Sequence, residues 1–267
     1  MLRSVELGIE EYSFALGLAG YPEAAKVLLV ASFGQLTAED EHGRLLSAGH
    51  SLMARKLLFL EEGVPTLAGE FRALLVALTE YDFAISFMRK SETVADTILY
   101  TVCAGGIVEQ RLEQGVICQI QTLSDIPAIA LAGIQFFGIS LHTDDLRAEA
   151  ALPRAVLSRA LDTVAQAPDR TLGTLLEAGL PEPLATALAG SFTQMESRGL
   201  VTRLDNTDGR VALTQEILFL RGNGRAWLFP ALSGADKEHV RVMPGTPAAF
   251  GQLVVGLCTA SAATAPD

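Results

Sequence analysis

The chain has 267 residues, with 20 Lys and Arg against 31 Asp and Glu, so its formal net charge is −11. That balance excludes a protein that holds nucleic acid through a broad basic surface. Counted with glycine and without tyrosine, about 57% of the residues are apolar against a usual ~45–50%, while charged residues are only 19%; disorder is excluded for most of the chain, and apolar surface is left over for an interface.

Glu6, Glu10 and Glu11 stand where a secretory leader needs a basic start and an unbroken apolar stretch, so the expected location is the cytoplasm. An apolar stretch over 14–33 follows. Thr37-Ala38-Glu39-Asp40-Glu41 is a capping signal with acids in the first turn, and Leu45, Leu46, Ala48, Leu52, Met53 and Leu57 continue it at near-helical spacing. The pattern predicts a long helix over 37–58 and a second helix over 67–78. Residues 82–88, 97–103, 107–112 and 116–123 have strand composition, with Gly105-Gly106 and Glu113-Gln114-Gly115 as turn signals at hairpin spacing. They predict an antiparallel meander. The run 126–141 is too short to span a bilayer and contains Pro127 and Gln135; opened by Ser124-Asp125-Ile126-Pro127, it reads as a buried, capped helix.

Asp144-Asp145 opens a charged linker, and a helix follows before 168. Thr171 to Leu180 and a helix over 181–198, stopped at Gly199, lead to Leu200-Val201-Thr202-Arg203, a turn at 205–209 and a return strand. The order resembles a winged helix-turn-helix. Residues 181–214 hold Arg198, Arg203 and Arg210 against Glu182, Glu196, Asp205 and Asp208, a net of −1, so protein contact is favoured over DNA, with a winged-helix transcription regulator as the alternative. Arg221-Gly222-Asn223-Gly224-Arg225 is a tight turn between strands. His239-Val240-Arg241-Val242-Met243 is the last strand, leading through Gly245-Thr246-Pro247 into a helix with Phe250, Leu253, Val254 and Leu257 on one face. Residues 259–267 are small or polar and expected to fray.

The reading is therefore α+β: two related copies, 37–141 and 171–260, each of helices, a β-meander and a capped helix, paired about a pseudo-two-fold axis. It divides the chain into an N-terminal half, 1–142, and a C-terminal half, 143–267, the latter carrying the winged-helix-like segment. No catalytic signature occurs. His42, His50, His142 and His239 lack metal-ligand spacing; Cys103, Cys118 and Cys258 lie far apart in apolar contexts; a P-loop, a strand-linked G-x-G-x-x-G and a G-x-S-x-G are absent. Neither enzyme activity nor a cofactor nor a metal is expected.

The helix end Ser51-Leu52-Met53-Ala54-Arg55-Lys56-Leu57-Leu58, the 67–78 helix, the meander, the capped helix and a second copy ending in Trp227-Leu228-Phe229-Pro230 and Val240-Arg241-Val242-Met243-Pro244 resemble EspG-type proteins, cytosolic chaperones of type VII secretion. The resemblance covers most of 36–258. It implies an adaptor that masks an aggregation-prone, apolar helical client with the face of one sheet, the loop between its first strands and a helical bundle near the C-terminus. That loop is here Arg89-Lys90-Ser91-Glu92-Thr93-Val94-Ala95, beside Phe87 and Met88. The partner-binding residues expected are Met88, Arg89, Lys90, Val94, and the strand pair Trp227 and Phe229, which share a face. A homo-oligomer is the other association the apolar excess allows; nucleic acid and membrane insertion are not expected.

Overall fold

The computed structural model describes residues 2–140, 146, 148–164, 167–207, 209–232 and 238–260. His142, Asp144, Asp145 and the chain after 260 lie outside the described residues. The fold is α+β with antiparallel sheet. Contacts divide it into two compact units, one of 1–84 with 98–124 and one of 85–97 with 125–267.

The first unit begins with β1 (Ser4–Gly8), α1 (Ile9–Ala19), α2 (Pro22–Phe33) and α3 (Ala38–Ala54). Thr37 caps α3 as its sequence predicts, its hydroxyl accepting from the Asp40 amide at 3.2 Å. A small hairpin follows, β2 (Leu58–Glu61) and β3 (Val64–Leu67), then α4 (Gly69–Thr79). This hairpin replaces the end of the helix expected to 58 and the start of the one expected from 67. Its cause is Glu62-Gly63, both at positive φ, which closes a two-residue turn that suits strand twist. Next come β4 (Phe83–Lys90), β5 (Ala95–Cys103), β6 (Gly106–Glu113) and β7 (Ile117–Leu123), close to the meander expected. In this unit the strand order is β1-β7-β6-β5, antiparallel throughout. Alternation sends Val5, Leu7, Val108, Cys118 and Ile120 to one face, where they pack with Tyr12 and Leu16 of α1 and Phe71 and Leu75 of α4. Arg55 closes the unit, donating to Glu11 Oε2 at 3.0 Å and to the Glu6 carbonyl at 2.6 Å.

The second unit holds the end of the β4–β5 hairpin, α5 (Ile126–Phe137), β8 (Ala150–Pro153), α6 (Arg154–Val164), α7 (Pro168–Glu177), α8 (Glu182–Thr193), β9 (Met195–Thr207), β10 (Arg210–Gly222), β11 (Arg225–Pro230), β12 (His239–Pro244) and α9 (Pro247–Thr259). Asp125 and Thr246 cap α5 and α9, accepting from the amides of Ala128 and Ala249 at 2.9 and 3.1 Å. Asn223-Gly224, both at positive φ, turns β10 into β11. The strand order is β4-β9-β10-β11-β12-β8. One face carries Leu220, Trp227, Phe229, Val240 and Val242 under Leu157, Leu175, Leu184, Leu188 and Phe192 of α6 to α8. On the other, Phe219 meets Phe137 of α5 at 4.5 Å between ring centres, and Phe137 meets Phe87 and Phe250 at 5.6 and 5.7 Å. Arg203 and Asp205 are buried as a pair, Nε to Oδ1 at 2.7 Å, and Arg203 also donates to the Leu257 carbonyl near the end of α9.

A further expectation is corrected here. The helix expected to reach Arg198 and stop at Gly199 ends at Thr193, and Gly199 lies within β9, paired with Phe219. Pairing along the length of β10 overrides the local helical pattern. Gly199 serves close approach instead of a left-handed stop: a Cβ there would stand 2.4 Å from the Met88 carbonyl oxygen and 2.7 Å from the Phe137 ring. Gly199→Ala is therefore expected to destabilise the protein by about 2 kcal/mol or more. Gly251→Ala, inside α9 with open space around it, should instead add about 0.5–1 kcal/mol. Urea unfolding followed by circular dichroism measures both, and equal effects would remove the packing argument.

Candidate functional site

The end of the β4–β5 hairpin builds one wall of a groove. Phe87 and Arg89 turn to the α5 side, so Met88 and Lys90 turn to the opposite face of β4. On β9, Gly199 faces Phe137, which sends Arg198 and Leu200 to that same opposite face. They pair with Leu220 and Leu218 of β10, and Leu218 pairs in turn with Phe229 of β11. Leu157, Ser158 and Leu161 of α6 form the far wall. The groove is open to solvent on one side and has a volume of about 420 Å³. Leucines and Phe229 make the floor, and Lys90 and Arg198 stand at the edge.

Arg89 borders the groove with its charge committed elsewhere. Its Nη2 donates to Asp96 Oδ2 at 2.7 Å, its Nη1 donates to the Phe136 carbonyl, and its guanidinium lies 4.9 Å from the Phe136 ring centre. Arg221 donates to the Gly138 carbonyl at 2.9 Å, so two cations hold the carbonyls at the C-terminal end of α5, where the helix dipole favours positive charge.

Four of the six residues expected from sequence, Met88, Arg89, Lys90 and Phe229, border this groove. Met88, Arg89 and Lys90 belong to strand β4, so the connection expected over 89–95 is shorter: it is the turn in which the Ser91 amide donates to the Val94 carbonyl at 2.9 Å. Val94 is 49% exposed on that turn, outside the groove lining. Trp227 is buried under α8, where its Nε1 donates to Ser191 Oγ at 2.8 Å. Sequence reasoning missed Arg198, Leu200, Leu218 and the α6 residues. The signal for the first three was strand alternation, hidden at Arg198 by reading 195–198 as helix.

Among the described residues no group of three or more His, Cys, Asp and Glu is placed to hold a metal ion. The cysteines are free thiols: Cys103 is half-buried, and burial pushes Cys118 and Cys258 up to about 11, with nearby Arg203 opposing the shift at Cys258. None lies in the groove lining.

No family model matches the sequence, and no curated protein matches it. The fold is similar to that of the Mycobacterium tuberculosis type VII secretion system chaperone EspG5, solved in complex with a PE25–PPE41 dimer: the TM-score is 0.68, with 11% identity over 96% of this chain and 95% of that one. The resemblance to EspG-type proteins thus holds at the level of fold. Among the described residues no helix is long and apolar enough to cross a membrane.

The thiols give a direct check on burial. At pH 8 a thiol of pKa about 11 is thiolate on the order of one part in a thousand, so Cys103 should react first with Ellman's reagent and the other two only on unfolding. Because both folded values lie above the ordinary 9, unfolding releases protons above pH 9. Their contribution to stability is full below pH 9 and is lost as the pH rises toward 11. Three thiols reacting at one rate in the native protein would contradict the burial.

Proposed function

We propose that this chain is a non-catalytic protein-binding chaperone of EspG type, working in the cytoplasm and seating an apolar helical segment of a secretion client in the groove beside the β4–β5 turn. One observation carries the reading: an apolar groove opens on the strand face of a fold that matches a secretion chaperone along nearly its whole length. That chaperone was solved with a PE25–PPE41 dimer, which supports a protein client here. Met88, 46% exposed, and Val94 on the adjoining turn would make the first contacts, and the leucine floor with Phe229 would receive the client's apolar side chain. Lys90 and Arg89 would border it. Trp227 shares the face of Phe229 but lies buried under α8, outside the groove lining, and contacts no client.

The winged-helix regulator reading has weaker support. α8, in the place of a recognition helix, buries Leu184, Ala185, Leu188, Ala189, Ser191 and Phe192 and carries no cation. We therefore propose no nucleic-acid role and no membrane insertion. Homo-association through the same apolar surface is decided by sizing the purified protein.

Tagged protein expressed in its own host should recover a stoichiometric helical partner. Met88→Asp and Val94→Asp should each reduce that recovery about tenfold or more while leaving the melting temperature within a few degrees, since both side chains are exposed. A clean monomer without partner, together with turnover in a hydrolase or transferase screen, would return the protein to the enzymes. A gel shift with duplexes from its genomic neighbourhood should show no sequence-dependent binding below micromolar concentration.

A further inference from the structure

We infer that the client segment held in the groove is acidic as well as apolar, carrying carboxylates beside its anchoring side chain that meet Lys90 and Arg198. The inference rests on the chaperone reading and specifies its partner. In a chain of net charge −11, this apolar groove is bordered by Arg89, Lys90 and Arg198 and by a single acid, Asp96. Asp96 is taken by Arg89 at 2.7 Å. Lys90 and Arg198 make no ion pair with any described residue.

The two free cations are near one another. A Cβ on Gly199 would stand 3.5 Å from the Arg89 Cα, so residues 198 and 200 lie beside 88 and 90 on the neighbouring strand and share their face. Like charges so placed repel across strands. When an apolar anchor enters the groove it removes water from both, and an uncompensated cation becomes costly. A neutral or basic segment would leave that cost standing, whereas a carboxylate on the client offsets it. Nucleic acid could supply the same charge, but the groove offers no aromatic face for a base: Phe219 and Phe229 are each 2% exposed. An acidic-apolar peptide segment satisfies both halves of the surface.

The test pans a displayed library of disulfide-closed helical hairpin peptides, randomised at their tips, on the wild-type protein. The same selection is run on Lys90→Gln/Arg198→Gln and on Met88→Asp, with circular dichroism to verify each fold. Wild type should enrich peptides with Asp or Glu next to Leu, Phe or Met. Their affinity should fall about tenfold on the double substitution and about tenfold from 50 to 500 mM NaCl, and be lost on Met88→Asp. Enriched peptides that lack acids and ignore the double substitution, yet are lost on Met88→Asp, would overturn the acidic inference and leave the groove as the client site. Peptides indifferent to Met88→Asp, or no enrichment, would overturn both. Binding of a fluorescent 20-nucleotide RNA that disappears on the double substitution would overturn the inference in favour of nucleic acid.

Discussion

Phe137 packs against β9 at a position with no side chain. Gly199 lets the ring approach the strand, and Gly133, one turn earlier on α5, leaves room for Phe87 and Phe250, whose rings stand 2.6 to 2.7 Å from where its Cβ would be. Four phenylalanines, Phe87, Phe137, Phe219 and Phe250, thereby interlock in the layer between the strands and helices α5 and α9. Aromatic pairs of this geometry add about 0.5–1.5 kcal/mol each beyond the apolar area they bury. The two glycines matter because a packed interior cannot absorb even one added methyl group without moving its neighbours.

That layer sets the groove on the opposite face. A strand has two faces and one alternation, so assigning Phe87 and Arg89 to α5 assigns Met88 and Lys90 away from it. Gly199 facing Phe137 does the same for Arg198 and Leu200, and Phe219 for Leu218 and Leu220. The register of β9 on β10 carries the alternation across, pairing Leu200 with Leu218 and Arg198 with Leu220. A one-residue slip would put cations into the phenylalanine layer and rings into water. Arg89 reinforces the choice, since its bonds to Asp96 and to the Phe136 carbonyl tie the β4–β5 hairpin to the end of α5.

Much of this was legible in the sequence, and the miss that cost the site has a non-local cause. Caps at Thr37, Asp125 and Thr246 and the turn Asn223-Gly224 are local signals, because the hydrogen bond or dihedral that defines each lies within three or four residues. The meander and the buried α5 followed from alternation and length. What failed was 195–199, where Met195-Glu196-Ser197-Arg198 continues a helical pattern and only a partner strand distant in sequence decides otherwise. The site suffered from that single error: Met88, Lys90 and Phe229 could be named from their own strands, while Arg198 and Leu200 became face-sharing neighbours only once 195–207 was a strand. The grouping of α5 with the hairpin end and the C-terminal elements is likewise a matter of contacts that chain order does not carry.

The apolar excess pointed to an interface without placing it. Large apolar side chains are exposed at several points: Leu60 and Val64 on the β2–β3 hairpin, Val211 and Leu213 on β10, Leu131 on α5 and Met88 on β4. Exposure alone does not separate them, since apolar atoms make up over half of an ordinary protein surface. Concavity does. A side chain laid on a hairpin loses water on one side only, whereas one entering between β4, β9, β10 and α6 is enclosed by Met88, Leu200, Leu218 and Leu161 and releases its own hydration together with theirs. Charge narrows the choice further, because the same groove is edged by two cations that nothing in the described fold neutralises. Apolar floor, enclosing walls and unmet charge coincide there, and the phenylalanine layer behind the strands fixes where that place is.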